Sequence, residues 1–241
     1  MIFITGDKHG DYRDIFDFCD RFDTTTDDIM IVLGDAGINY FLDGRNFLLK
    51  ESLQNLPITL FCVHGNHEER PENIASYRQE EFHGGLVYYE EMYPNILFAK
   101  DGEVYNFNGN KTIVIGGAYS IDKDYRLARG ITWYPSEQPD ERTKEKVLNV
   151  LKEHKNEMDV ILSHTCPLKY IPVEAFKSGV DQSKVDNSTE KFLDYIEDNT
   201  NYKKWYCGHY HTDKKIDKMR FMMDDIEEFK TLEKDFEREK K

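Results

Sequence analysis

Seven residues of this chain carry side chains that can hold divalent cations, and each stands where an apolar run ends. Gly6-Asp7-Lys8-His9-Gly10 follows Ile2–Thr5 and sets a carboxylate and an imidazole two residues apart. In an extended segment residues i and i+2 project to the same side, so Asp7 and His9 can share one cation. Asp35 follows the run Ile29–Leu33, and its two oxygens allow it to bridge two cations. Asn66, in Gly65-Asn66-His67-Glu68, offers a neutral carbonyl oxygen, which limits the negative charge of a site and preserves the Lewis acidity of its metals. His164 comes after Val160–Leu162, and His209 and His211 come after Trp205–Cys207. Two cations held about 3.5–4 Å apart lower the pKa of a shared water and neutralise charge that develops on phosphoryl oxygens. The chemistry to which these residue types point is therefore hydrolysis of a phosphate ester.

Of the eight histidines, five (His9, His67, His164, His209 and His211) lie just past such runs. His83, in Glu81-Phe82-His83-Gly84-Gly85, is a further candidate for a pocket wall, while His154 falls late in a charged helical segment and faces solvent.

The elements that must position these groups are short. Ile2–Thr5, Ile29–Leu33, Ile58–Val63, Lys111–Ile115, Val160–Leu162 and Trp205–Cys207 are rich in Ile, Val and aromatics, which fits buried strands. Between them, 11–22 places Tyr12, Ile15, Phe16 and Cys19 on one helical face, and 45–56 places Phe47, Leu48 and Leu53 likewise. Pro139-Asp140-Glu141 opens a third helix with Val147, Val150 and Leu151 as its stripe. Strand alternating with helix predicts an α/β fold, and the strand-rich stretch 86–115 predicts a mixed or doubled sheet. Ligands of open α/β sheets gather beyond the carboxyl ends of strands, so five of the six runs deliver Asp, His or Asn to one rim.

Composition bounds the rest. The 241 residues can build one substantial domain, and 39% hydrophobic residues with 15 Tyr and 15 Phe exclude wholesale disorder. A formal net charge of -14 repels nucleic-acid phosphates and anionic membranes at long range, which argues against an extended nucleic-acid surface but not against a small phosphorylated substrate. Cys19, Cys62, Cys166 and Cys207 have no CxxC spacing and read as buried thiols of a reducing compartment. With neither a signal-peptide pattern nor an apolar run of membrane-spanning length, the chain reads as soluble and cytoplasmic. From Asp224 the sequence is highly charged, with Ile226, Phe229, Leu232 and Phe236 at helical spacing. The expected division is a domain over 1–223 and a charged C-terminal helix or tail over 224–241, and nothing fixes an oligomeric state.

Taken in order, the blocks DxH, GD, GNHE, H and GHxH, from Asp7 to His211, resemble the calcineurin-like metallophosphoesterase family. The resemblance implies an αββα sandwich of two mixed β-sheets flanked by helices, around a dinuclear centre. It implies that Asp7, His9 and His211 take one metal, Asn66, His164 and His209 the second, and that Asp35 bridges them with a hydroxide. His67 would stay outside the metals and assist the transition state or protonate the leaving oxygen. Mn, Fe, Zn or Co suits such donors, with Mn favoured. The Ser/Thr protein phosphatases of the family carry GDxVDRG at the second block. Gly34-Asp35-Ala36-Gly37-Ile38-Asn39-Tyr40 stands there instead, without the Asp that orients the catalytic His or the Arg that holds phosphate. Glu68 is open to two readings, as a substitute that orients His67 or as a surface carboxylate.

Substrate choice points to the stretch after Gly116-Gly117, where Tyr119, Lys123, Arg126 and Arg129 interleave cations and aromatics in a loop able to hold phosphate and stack on a base. The same stretch resembles the lariat-debranching phosphodiesterases of that superfamily. Tyr40, Arg45 and Tyr170 are secondary candidates. The expected function is a phosphodiesterase acting on a nucleotide-type diester. A phosphomonoesterase acting on a small molecule or protein is the alternative, and a non-catalytic scaffold a more distant one.

Overall fold

The structure, a computed structural model, describes residues 1–176 and 181–232. One sheet contains β1 (Ile2–Thr5), β2 (Ile29–Val32), β3 (Thr59–Cys62), β4 (Arg78–Phe82), β5 (Gly85–Glu90) and β6 (Tyr93–Ala99). The other contains β7 (Val104–Phe107), β8 (Asn110–Ile115), β9 (Val160–Ser163), β10 (Lys204–Cys207), β11 (Lys214–Ile216) and β12 (Met219–Phe221), and β13 (Glu227–Glu228) returns to the first. The orders are β13-β1-β2-β3-β6-β5-β4 and β11-β12-β10-β9-β8-β7. β1, β2, β3 and β6 run parallel, as do β8, β9, β10 and β12, so the middle of each sheet points its carboxyl ends one way. Both sheets are mixed, because antiparallel strands close their edges.

Alternation along the strands separates the layers. Ile2, Ile4, Ile29, Ile31, Phe61 and Val63 of the first sheet pack against Val114, Val160, Leu162 and Tyr206 of the second. Phe3, Met30, Val32, Leu60 and Cys62, one residue out of phase, face α1 (Arg13–Phe22) and α2 (Gly44–Leu53). On the far side Ile113, Ile115, Ile161, Trp205 and Cys207 meet α4 (Glu141–Glu153) and α5 (Ser188–Asn199). Helices, sheet, sheet, helices: the expected αββα sandwich is the fold. Asp140 caps α4 by accepting from the Thr143 amide, as the Pro-Asp-Glu start predicts. All four cysteines are free and buried. Among the described residues no helix is long and apolar enough to cross a membrane.

Three local expectations fail. On α2 the buried face is Asn46, Lys50 and Leu53, while Phe47 and Leu48 are exposed. The buried ion pair of Lys50 with Glu90 (2.5 Å), under the ring of Tyr77, sets that face rather than the apolar count. The stretch read as a loop contains a short helix, α3 (Lys123–Arg129), capped at its end by Gly130 in the left-handed conformation. The helical spacing after Asp224 does not produce a helix over the described part of the tail. β13 instead pairs antiparallel with β1 (Phe3 with Glu228), and the Phe229 amide donates to the Ile2 carbonyl (2.8 Å). Asn108 and Asn110 of the β7–β8 hairpin donate to the carbonyls of Phe229 (2.7 Å) and Lys230 (2.9 Å). Tertiary pairing outweighs a weak local period. Phe236 lies outside the described residues.

Phe229 is 1% exposed and sits between Phe107 and Tyr206 in the core between the sheets. Phe229→Ala is expected to lower the free energy of unfolding by about 3–5 kcal/mol in a urea titration, the usual cost of emptying a buried aromatic site. A loss below about 0.5 kcal/mol, as for an exposed position, would mean that the tail is not part of the core.

Candidate metal centre

Every expected ligand stands just beyond the carboxyl end of a parallel strand: Asp7 after β1, Asp35 after β2, Asn66 after β3, His164 after β9 and His209 after β10. The two sheets thereby contribute to one rim. The Nε2 atoms of His9 and His211 lie 2.9 Å apart, and His211 Nε2 is 3.3 Å from Asp7 Oδ2. One donor atom each from Asp7, His9 and His211 fits within 4.8 Å, and so does a second set from Asp7, Asp35 and His164. His9 Nδ1 is 3.8 Å from Asp35 Oδ2, and His164 Nε2 is 3.7 Å from Asp35 Oδ1, so Asp35 stands between the two groups.

Asn66 joins them. Its Oδ1 is 2.8 Å from His164 Nε2 and 3.0 Å from His209 Nδ1, and its Nδ2 donates to Ser120 Oγ (2.8 Å). His164 Nδ1 is 2.8 Å from the Leu33 carbonyl, which can only accept, so the ring carries its proton there and turns the Nε2 lone pair inward. A nitrogen lone pair thus meets a carbonyl oxygen at hydrogen-bond distance, and a cation placed among them converts repulsion into attraction. The donor set of imidazole nitrogens, carboxylates and one amide oxygen, without thiolate, suits a borderline or hard divalent cation.

The backbone is shaped for this convergence. His9, Asp35, His209 and His211 have φ of +49°, +45°, +66° and +49°, a cluster of left-handed residues of the kind found at functional sites. Gly34, at φ +101°, must be glycine because a Cβ there would lie 2.1 Å from His164 Nδ1. The Asp7 carboxylate accepts the His209 amide (3.0 Å), and Asp35 accepts the His67 amide (2.9 Å), which locks one block to the next.

Burial works against the Asp35 carboxylate, yet His164, His67 and His9 around it, with the His67 amide, hold it below the usual carboxylate range. Burial, with His164 next, pushes the His209 imidazole down to about 3. Burial also lowers His67; Asp35 opposes the shift and Arg126 adds to it. Glu68 fits neither sequence reading: it is wholly buried and its Oε1 accepts the Gly65 amide (2.8 Å), so it supports the Asn66 turn through the backbone. Burial, reinforced by Asp35, raises its carboxyl to about 8.

Two cavities meet at His67. The larger, about 510 Å³, includes Asp35, Asn66, His209 and His211 together with Tyr119, Tyr210 and Glu190. The smaller, about 350 Å³, includes His9, Tyr40, Phe41, Arg45 and Arg126. Arg126 is held by Asp122 (2.8 Å) and the Tyr40 hydroxyl (2.9 Å), and its Nη2 is 3.4 Å from His67 Nε2. Tyr119, Arg126, Tyr40 and Arg45 therefore line the site. Lys123 and Arg129 do not belong to either wall: Lys123 lies over the Trp133 ring (4.4 Å) and Arg129 over Tyr125 (5.7 Å). His83 sits in the β4–β5 turn beside the Asn106 carbonyl (3.2 Å), and Tyr170 packs under α5, so neither joins the cavities. Sequence reasoning missed Glu190, Tyr210 and Ser120. The signal for Glu190 was its place three residues before Leu193 on the buried face of α5.

Acidic, amide and imidazole donors at the carboxyl rim of an αββα sandwich define a metal-dependent phosphoesterase. The chain belongs to the calcineurin-like phosphoesterase family, whose model matches residues 1–213. It is thus a hydrolase of phosphoester bonds. No curated protein matches it in sequence. Among solved structures it is similar to TT1561 of Thermus thermophilus at 13% identity, over 86% of this chain and 80% of that one, with a TM-score of 0.45, too slight a likeness to carry an assignment.

The folded state holds a proton on Glu68 that the unfolded chain gives up near 4.5. In metal-free protein its contribution to stability is full below pH 4.5 and is lost as pH rises to about 8. Glu68→Gln is expected to flatten that decline in urea unfolding measured across pH; an unaltered pH dependence would contradict a buried, protonated Glu68.

Proposed function

We propose that this protein is a dinuclear phosphodiesterase acting on a nucleotide-type diester. The observation that carries the reading is the pair of cavities, about 510 and 350 Å³, that share His67 beside the ligand cluster. A phosphodiester has two substituents on phosphorus and a monoester one, so a site with two adjoining cavities has room for both arms.

On this reading Asp7, His9 and His211 hold one divalent cation, Asn66, His164 and His209 hold the other, and Asp35 bridges them. The bound pair supplies Lewis acidity and an activated water, with Mn the favoured metal. The chain's own groups do the rest. Ser120 fixes the Asn66 amide with its oxygen inward, and the Leu33 carbonyl fixes the His164 tautomer. His67, its imidazole kept neutral by burial, stands in both cavities and donates a proton or hydrogen bond to the leaving oxygen. Arg126, braced by Asp122 and Tyr40, holds a phosphoryl oxygen and keeps the His67 ring in place. Tyr119 lines the larger cavity, and Lys123 and Arg129 act at most on the outer part of a long substrate.

The test is hydrolysis of bis-p-nitrophenyl phosphate against p-nitrophenyl phosphate by Mn-loaded protein. Diester turnover is expected to exceed monoester turnover, and Asp35→Asn to abolish both. His67→Ala is expected to reduce kcat by about 10²–10⁴-fold, the usual contribution of a positioned proton donor. Monoester preference would overturn the reading in favour of a phosphatase.

A further inference from the structure

We infer that Glu190 and the larger cavity around it form a recognition site for the N–H donor edge of a nucleobase carried by the substrate. This rests on the reading that the metal centre holds the phosphate. Glu190 is 3% exposed, and it lies in the wall of the same cavity as Asp35, Asn66 and His209. At the start of α5 the sequence Asn187-Ser188-Thr189-Glu190 is one in which the glutamate usually folds back to cap its own helix. Here Oε1 instead accepts from Thr165 Oγ1 (2.8 Å), and Tyr210 Oη, at 3.1 Å from that hydroxyl, continues the chain of hydrogen bonds. Oε2 has no partner among the described residues. A carboxylate oxygen at that depth is costly to leave bare, so the arrangement calls for a donor from outside the chain.

The wall says what kind of donor. None of the described residues lining this cavity is Lys or Arg, and Glu190, Glu174 and Asp122 make it acidic, which repels a second phosphate or a carboxylate. Ile121, Ile171, Phe176 and Val185 add apolar surface, and Tyr119 an aromatic ring, as a flat heterocycle requires. A neutral ring with N–H groups on its edge satisfies the acid and the apolar wall together. The smaller cavity, with Arg126 and Arg45, differs in sign, so the two arms of a diester are distinguished by charge.

The experiment is calorimetric binding to the full-length Mn-loaded protein of three phosphonates that cannot be hydrolysed: the analogues of guanosine monophosphate and of ribose phosphate, and aminoethylphosphonate. The wild type is expected to bind the guanosine ligand at least about tenfold more tightly than the ribose ligand. Glu190→Gln and Glu190→Leu, each checked for an intact unfolding transition, are expected to reduce that ratio by about tenfold. Equal affinities in the wild type would overturn the inference, as would a ratio preserved in both variants. Equal weakening of the two sugar ligands would mark Glu190 as a support beneath His164, acting through Thr165, and would overturn it too. Tightest binding of aminoethylphosphonate would replace the base with an amine and so overturn it as well. Failure of the diesterase reading appears in turnover and leaves this binding ratio to stand or fall by itself.

Discussion

Lone pairs brought face to face repel unless positive charge lies between them, and the centre of this molecule is built from such encounters. Asn66 turns its carbonyl oxygen, rather than its amide nitrogen, toward His164 Nε2 at 2.8 Å and His209 Nδ1 at 3.0 Å. His9 and His211 bring their Nε2 atoms within 2.9 Å beside the Asp7 carboxylate. Each of these groups is held from behind: Asn66 by Ser120, His164 by the Leu33 carbonyl, and Asp7 by the His209 amide. A site arranged in this way is strained when empty and stabilised by cations, and the fold is the frame that keeps it from relaxing.

That frame works because strands of both sheets end together. β1, β2 and β3 deliver Asp7, Asp35 and Asn66; β9 and β10 deliver His164 and His209. Only a packed pair of sheets, joined across Ile31, Phe61, Val114 and Leu162, can hold ligands from opposite ends of the chain to hydrogen-bond distances. β13 adds to the same frame, since Phe229 fills the core between the sheets and its flanking carbonyls tie the β7–β8 hairpin to the edge at β1.

Much of this was legible in the sequence. Apolar runs ending in Asp, His or Asn locate the strands and the rim at once, because buried parallel strands and ligand turns leave strong local signals. What escaped depended on partners distant in sequence. Phe47 and Leu48 look like a buried face until Lys50 finds Glu90 across the sheet, and Phe229 looks helical until β1 offers an open edge. Glu68 reads as a surface carboxylate because nothing local announces that the Gly65 amide will take it inside. Glu190 reads as an ordinary helix-start residue because Thr165, its partner, lies 25 residues earlier. His83, Lys123 and Arg129 have the right chemistry and point elsewhere, since spacing in a loop does not fix direction. Residue type locates the centre well and the cavities around it poorly.

The claim on which the account depends is that the ligand cluster requires cations. The direct measurement is to strip the protein with chelator, titrate in Mn, and follow bound metal per chain together with the thermal unfolding midpoint. Retention of two metals per chain, with a rise in Tm on the order of ten degrees at saturation, is the expected result, from the mass-action gain of tight binding to the folded state alone. A stripped protein that keeps its Tm and retains no metal would mean that the cluster is satisfied by protons, and the account would fail.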